Sequence, residues 1–251
     1  MWRTRTATSL VSGAARTQAD KLFDARHGSP VSHDDLLAHR WRAALVNSAV
    51  GRLWDDMELV TACKNKKKRV EALRLIAGGA DPNMGNRLGE TPLHWAVINS
   101  DTELVSALLT AGADPNARTK SKHAAGQGAG NATPLHFAAS RTNLDVIDLL
   151  LQAGSDPRAV DATGFSVLQA AVYSPESAIL GRLVEAGADP NDGSLSLAVR
   201  DRGLEVVVEL LRLGASPDGS GENYYSPLRM AKAFNKTETA RVLLAAGAMD
   251  R

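Results

Sequence analysis

Histidine and cysteine are the side chains of this sequence best suited to acid–base catalysis, nucleophilic attack or metal binding. His94 and His136 each end an identical Thr-Pro-Leu-His stretch. Imidazole titrates close to neutral pH, so either residue could serve an acid–base or metal site. The motifs that would indicate such a site are missing from the sequence. It has no Gly-rich phosphate loop with a lysine and no His-Glu-x-x-His, and its single cysteine, Cys63, has no second cysteine with which to bind a metal. We therefore expect no catalytic residue, no metal, no cofactor and no enzymatic activity.

A run of bases is the second chemically distinct feature. Five of the six residues at 64–69 are basic, namely Lys64, Lys66, Lys67, Lys68 and Arg69. Such a run can be a nuclear localisation signal or a patch for a polyanion, and it can equally be a solvated turn. The net charge of the whole chain is only +1, so bulk charge draws it to neither nucleic acid nor an anionic membrane. We expect the partner to be a protein.

A five-residue phrase recurs along the chain. Gly-Ala-Asp-Pro-Asn begins at positions 79, 112 and 187, and weaker copies begin at 154, 214 and 247. The successive leading glycines are 33, 42, 33, 27 and 33 residues apart, and a period near 33 is typical of stacked repeats. The sequence therefore predicts a solenoid of six units, with its function on a surface rather than in a pocket.

The second unit shows the predicted helices most clearly. Thr91 can cap a first helix, and Pro92 occupies its first turn, where the missing N–H costs nothing. A second helix follows and ends at Gly112, which can take the left-handed conformation. These residues resemble the ankyrin repeat, whose mark is a Thr-Pro-Leu-His helix start in a unit of about 33 residues. The resemblance implies an all-α ankyrin-repeat solenoid of helix-turn-helix units joined by β-hairpin fingers.

The resemblance also implies roles for the residues that could do chemistry. His94 and His136 would hydrogen-bond within their turns and join neighbouring hairpins. Cys63 lies 16 residues before Gly79, the position where the later units carry a small alanine, so we expect a buried thiol. The basic run falls at the end of the first helix and in the inter-helix turn of the first unit. We expect that turn to lie opposite the fingers, away from the groove.

Positions just after the small residue line a concave groove in this family, and the fingers project beside it. The resemblance therefore implies partner contacts by Arg87, Leu88, Glu90, Ile98, Asn99, Arg141, Phe165, Tyr173, Arg200, Tyr225 and Phe234. Tyrosine and arginine are typical interface anchors. The predicted function is a non-enzymatic protein-interaction module, acting as an adaptor, scaffold or inhibitor. The alternative is a targeting or regulatory protein whose basic turn binds an acidic partner, nucleic acid or a membrane.

Three segments are predicted along the chain. Residues 1–31 form a weakly ordered leader rich in Arg, Ser and Thr, a composition shared by disordered tails and organelle transit peptides. A capping helix is predicted over 32–51 and ends at Gly51. The ankyrin-repeat domain spans 52–251, with units ending near 83, 116, 158, 191, 218 and 251. We expect a cytoplasmic monomer with no small-molecule substrate; the alternatives are the nucleus, through the basic turn, and an organelle, through the leader.

Two spacings depart from the period. The chain gains nine residues around 121–130 and loses six before the fifth unit, where Asp192, Gly193 and Ser194 lead almost directly into a helix. Both changes fall in the hairpin segment, where solenoids tolerate insertions and often bind partners. We expect one long Gly-rich finger, one missing finger and partner contacts in units two to four.

Overall fold

The computed structural model describes residues 49–120, 130–141, 143–219 and 226–249, with side chains from residue 55 onward. The chain divides into two compact regions, Met1–Gly51 and Arg52–Arg251. Nearly all described residues belong to the second region, which contains the repeat units. Several predictions lie outside the described residues: the leader at 1–31, the capping helix up to residue 48, most of the long finger and Tyr225.

Twelve α-helices form six two-helix units in the described part of the chain. The inner helices, the first of each unit, are α1 (Ala49–Lys64), α3 (Pro92–Ile98), α5 (Pro134–Ala139), α7 (Val167–Ala171), α9 (Ser194–Asp201) and α11 (Pro227–Ala233). The outer helices are α2 (Arg69–Ala77), α4 (Thr102–Thr110), α6 (Leu144–Gln152), α8 (Ala178–Glu185), α10 (Leu204–Arg212) and α12 (Thr237–Ala245). A 3-10 helix, Lys66–Lys68, stands between α1 and α2.

The helices stack inner on inner and outer on outer. Helices α3, α5, α7, α9 and α11 pack in succession, as do α2, α4 and α6, and likewise α8, α10 and α12. Their shared core is continuous, because each unit can bury its apolar face only against its neighbours. The same inner-helix position is buried in five units, by Leu93, Leu135, Leu168, Leu195 and Leu228. The predicted all-α solenoid is confirmed.

The leading glycines mark where each outer helix ends. All six have a left-handed backbone, with φ between +85° and +109°, which glycine adopts without a Cβ penalty. They turn the chain toward the next finger. The fingers are built from turns: the described finger residues contain no strand, and one isolated antiparallel bridge joins Val160 and Ser166.

Helix α1 corrects one expected boundary. Gly51 does not end a helix, because α1 continues from Ala49 to Lys64. A glycine in a helix interior costs about 1 kcal/mol relative to alanine. The later turns of α1 bury Leu59, Ala62 and Cys63.

The fifth unit lacks a finger, as predicted. Gly193, at φ +95°, leads directly into α9 at Ser194. Asp192 holds the shortened connection: its Oδ1 accepts a hydrogen bond from the Ser194 backbone N–H at 2.9 Å, and its Oδ2 accepts one from the Ser166 hydroxyl. Gln169 Nε2 also donates to the Asp192 carbonyl at 2.7 Å. Burial raises the pKa of the Asp192 carboxyl above its ordinary value.

Candidate protein-binding surface

The Thr-Pro-Leu-His turns fix the start of the inner helices. In the second unit the Nδ1 atom of His94 accepts a hydrogen bond from the Thr91 backbone N–H at 3.2 Å. The proton therefore resides on Nε2, which donates to the Ala132 carbonyl of the next unit at 3.3 Å. His136 repeats the arrangement with Thr133 and the Phe165 carbonyl. The expected structural role of both histidines is confirmed.

Burial keeps these two imidazoles neutral. It lowers the pKa of His94 to about 4, and it lowers the pKa of His136 in the same direction. An uncharged ring with both nitrogens engaged is unsuited to bind a metal or to shuttle protons.

Cys63 is as deeply buried as the alanines at its position. Its side chain is 1% exposed, and Ala96, Ala138, Ala171, Ala198 and Ala231 are buried too. Desolvation raises the pKa of the thiol to about 12. Since the thiolate is the reactive form, Cys63 fills space and is not a nucleophile.

The groove positions are defined as the residues 14 and 13 before each leading glycine, and their exposure is uneven. Tyr173 is 41% exposed and Phe234 is 52% exposed. Ile98 is half-buried against the core, and Arg141 is half-buried with its Nε atom making no hydrogen bond. The exposed aromatic surface thus lies in the fourth and sixth units.

Tyr173 belongs to a network that crosses into the fifth unit. Its hydroxyl donates to Oδ2 of Asp201 at 2.7 Å. Arg200 donates two hydrogen bonds of 2.8 Å to the same carboxylate. The Arg200 guanidinium is the largest influence that holds the pKa of Asp201 at about 2. All three side chains remain exposed.

The predicted finger contacts divide into exposed and internal residues. Arg87 is exposed, and Leu88 is 37% exposed. Glu90 is 2% exposed and accepts a hydrogen bond from Asn86 Nδ2 at 2.6 Å, so its prediction as a partner contact is corrected: it holds its own finger. Phe165 is half-buried and stacks on Tyr173, with 6.5 Å between ring centroids.

The ends of the inner helices and the turns after them form one row, the turn row, at residues 64–69, 98–101, 140–141, 173–176, 199–203 and 233–236. Polar side chains in it link the second, fourth, fifth and sixth units to the unit before. Asn99 Nδ2 donates to the Cys63 carbonyl at 2.8 Å, Arg202 Nη2 donates to the Ser174 carbonyl at 3.0 Å, and Ser174 Oγ donates to the Arg141 carbonyl at 3.4 Å. Lys236 Nζ donates to the carbonyls of Val199, Arg200 and Arg202 at 2.7, 3.1 and 3.0 Å. Asn99 is therefore a tie between units rather than a free contact residue.

Sequence reasoning missed these ties. Arg202 and Lys236 lie 12 and 11 residues before their leading glycines, just past the groove positions. A usable signal was present, because a long donor immediately after a helix end can reach carbonyls that lack an intrahelical partner.

The basic turn lies in this same row, and its place relative to the groove stays a prediction. Counting back from Gly79 places Asn65 and Lys66 at groove positions. Lys64 lies with Nζ 4.7 Å from the ring centroid of Trp95, and Arg69 forms an ion pair with Glu103. Residues 64–70 are all exposed. The basic turn therefore adjoins the groove position Asn99, whose Nδ2 atom also lies 3.5 Å from the Lys64 carbonyl.

A second line of ties runs along the finger bases. Asn83 Nδ2 donates to the Gly112 carbonyl at 2.9 Å, and Asn83 Oδ1 accepts from the Asp114 N–H at 2.7 Å. Asn116 repeats both bonds with the next unit, at 2.9 and 2.8 Å. Arg158, Asn191 and Asp218 supply the remaining ties. The last residue of the recurring phrase therefore joins the units.

The residues that the structure describes contain no group of three or more His, Cys, Asp or Glu side chains that could hold a metal ion. An open cleft of about 300 Å³ lies on outer helices α6 and α8, and the Arg182–Asp148 ion pair contributes to its lining. None of the described helices is both long and apolar enough to cross a membrane.

Two-helix units joined along both edges by polar side chains define a helical-repeat solenoid. The family profiles "Ankyrin repeat" and "Ankyrin repeats (3 copies)" match residues 88–120 and 120–194. The solved ankyrin repeat domain of Bcl-3, a member of the IkappaB protein family, superposes with a TM-score of 0.64 and 28% identity, over 76% of this chain and 86% of that one. Residues 88–194 are thus ankyrin repeats, which are in general protein-interaction modules, and the described chain has the fold of an ankyrin-repeat solenoid.

Curated relatives match over shorter stretches. The "Mitochondrial disaggregase" of Bos taurus is 33% identical over 118 residues, covering 40% of this chain and 17% of that protein. The Homo sapiens protein of the same name is 44% identical over 61 residues, covering 24% and 8%. "Palmitoyltransferase AKR1" of Kluyveromyces lactis is 47% identical over 57 residues, covering 22% and 7%. The chain thus spans less than a fifth of the length of these relatives.

Proposed function

We propose that the protein is a non-enzymatic interaction module, an adaptor, scaffold or inhibitor, that binds another protein through its inner-helix groove and fingers. The observation that supports this most directly is the exposure of Tyr173 and Phe234 at groove positions. Large aromatic side chains with polar neighbours are typical anchors of protein interfaces. Leu88 at the tip of the second unit's finger adds exposed apolar area.

Several perturbed pKa values among the described residues have structural causes. The shifted pKa values of His94, His136 and Cys63 follow from burial in the core, and that of Asp201 follows from its pairing with Arg200. The disaggregase and the palmitoyltransferase are matched over a small part of their length, so we propose neither activity for this chain. A cytoplasmic monomer remains our proposal for location and assembly.

Affinity capture with paired variants tests this function. Immobilised wild-type protein, a Tyr173→Ala/Phe234→Ala variant and a Val208→Ala/Leu244→Ala variant would be incubated with the same cell extract, and bound proteins quantified by mass spectrometry. Val208 and Leu244 are comparably exposed, at 44% each, but lie on outer helices α10 and α12. We expect specific partners to be lost from the groove variant and kept by the outer-helix variant. Equal capture by all three proteins would contradict the proposed function.

A further inference from the structure

Charge is distributed very unevenly between the turn row and the rest of the chain. The row contains nine bases, five of them in the first unit, and three acids, Asp101, Glu176 and Asp201. Its formal charge is therefore +6, whereas the whole chain carries +1. All other residues together are net negative, so the near-neutral total conceals a strongly basic edge.

The bases collect at the two ends of the row. The first cluster comprises Lys64, Lys66, Lys67, Lys68 and Arg69, all exposed. The second comprises Arg200, Arg202 and Lys236 in the fifth and sixth units. Between the clusters, units two to four contribute one base, Arg141, beside Asn99 and Tyr173.

Among the residues that the structure describes, carboxylates compensate only part of this charge. Arg69 pairs with Glu103 and Asp101, and Arg200 pairs with Asp201. The three hydrogen bonds of Lys236 and the bond of Arg202 instead go to backbone carbonyls. Carbonyls satisfy the donors but carry no net charge, so both ends of the row attract anions.

We infer that the turn row binds an extended acidic segment of a partner protein, with acidic residues near both of its ends and a less charged middle. This inference rests on the proposed function and assigns the chemistry of the partner. Complementary charge at the two ends would set both the partner's orientation and its rate of association. The exposed ring of Tyr173 lies between the clusters, where an apolar side chain of the segment can contact it.

The spacing of the clusters favours a peptide over nucleic acid. Packed helices lie 8–10 Å apart, so the four steps from the first unit to the fifth span about 35 Å. An extended chain rises about 3.3 Å per residue, and roughly eleven residues cover that span. A nucleic acid strand carries a phosphate about every 3.4 Å along its axis. Across the middle units, its phosphates would meet only one basic side chain of the row, that of Arg141.

Each cluster acts on its own end of the segment. Interactions between exposed charges are largely screened beyond about 8 Å at physiological ionic strength, which is well below the distance between the clusters. Neutralising one cluster should therefore weaken binding even when the other is intact.

A displayed library of random twelve-residue peptides, selected on the wild-type protein, provides the probe. We expect selected peptides to contain at least twice the Asp and Glu fraction of the unselected library, concentrated toward their ends. Selected peptides without that enrichment, or a library that yields no binder, would overturn the inference.

Binding of one synthesised, selected peptide would then be measured by fluorescence anisotropy. We expect Lys66→Gln/Lys67→Gln/Lys68→Gln to raise its Kd at least tenfold and Arg200→Gln to raise it severalfold, with circular dichroism confirming folded protein. The matched control, Arg74→Gln/Arg212→Gln/Arg241→Gln, removes the same charge from exposed side chains of the outer helices. An equal loss in this control would overturn the assignment to the turn row.

Two competitors decide between classes of partner. A twenty-nucleotide oligo(dT) and phosphatidylserine-containing vesicles would each be titrated against the bound peptide. If either competitor displaced the bound peptide at a lower concentration than unlabelled peptide does, the preferred partner would be nucleic acid or a membrane. That result would overturn the inference.

The captured partners separate this inference from the proposed function. Partners lost with Tyr173→Ala/Phe234→Ala but retained by the triple lysine variant would leave the proposed function standing and refute the acidic segment. Partners retained by both variants would refute the proposed function itself.

Discussion

His94 Nε2 lies 3.3 Å from the carbonyl oxygen of Ala132, which belongs to the finger of the next unit. A side chain in the second unit thereby holds the backbone that leads into the third. The bond requires the neutral ring, because Nδ1 accepts from the Thr91 N–H while Nε2 donates. Protonation would turn the accepting nitrogen into a donor that faces another donor.

This geometry predicts that stability falls in mild acid. The folded-state pKa of His94, about 4, lies below the ordinary value of 6.5. Between those values the unfolded chain binds a proton that the folded chain does not, so the free energy of unfolding decreases as pH falls through this window. From pH 7 to pH 5 the contribution of His94 should fall by about 2 kcal/mol, and His136 acts in the same direction.

His94→Gln provides the comparison, since the fourth unit already carries glutamine at this position. Gln169 Oε1 accepts from the Ser166 N–H at 3.0 Å, and its Nε2 donates across the junction. Urea denaturation at pH 7 and pH 5 should show a smaller pH-dependent loss in the variant than in the wild type. Equal losses in the two proteins would mean that His94 does not titrate as described.

Substitution by alanine should cost more stability at Gly89 than at Gly112. Gly89 and Gly112 both have positive φ, +75° and +89°, so alanine strains the backbone by about 1 kcal/mol at either. At Gly89 the added Cβ would also lie 2.9 Å from the Lys120 backbone nitrogen, whereas at Gly112 it meets nothing within 4 Å. The Lys120 N–H donates to the Leu88 carbonyl at 2.7 Å and joins two fingers.

Gly89→Ala should therefore destabilise the fold by about 1–2 kcal/mol more than Gly112→Ala, through the loss of that hydrogen bond. Thermal and urea denaturation of the two variants provide the measurement. A Gly112→Ala variant that proved as unstable as Gly89→Ala would show that backbone strain alone accounts for both.

Cys63 predicts a thiol that reacts only after unfolding. Its burial and raised pKa leave almost no accessible thiolate at neutral pH. Cys63→Ala should change stability by less than about 1.5 kcal/mol, because alanine fills this position in the other units. Cys63→Leu should cost about 1–3 kcal/mol by overpacking the same space.

A thiol reagent followed by absorbance checks the reactivity of Cys63, with and without denaturing urea. Rapid labelling of the native protein would contradict the buried position. Denaturation of the two variants checks the packing argument separately from the reactivity.

Local patterns predicted the repeats well. The glycine spacing, the Thr-Pro-Leu-His starts and the alanine position are signals within one unit, and each was confirmed in the described residues. Interactions between units were harder to predict. Nothing local to Glu90 distinguishes an exposed finger residue from one bonded to Asn86, and Asn99 could not be identified as a tie without knowing that the Cys63 carbonyl lies opposite it.

The basic run shows the same difficulty at larger scale. Its composition was evident, but its place relative to the groove depends on register across units. Counting from Gly79 was sufficient to put Lys66 at a groove position. The sequence also carried the uneven charge, which became interpretable once the turns were known to form one row.

The bonds at the finger bases keep the same length whatever lies between them. The Asn83, Asn116 and Asn191 side chains accept backbone N–H groups at 2.7, 2.8 and 2.8 Å across glycine spacings of 33, 42 and 27 residues. The length of a finger is thus uncoupled from the fit between units. A finger loop can therefore be grafted, shortened or exchanged independently of its neighbours. A new binding specificity can arise in such a loop without changes to the stacked helices.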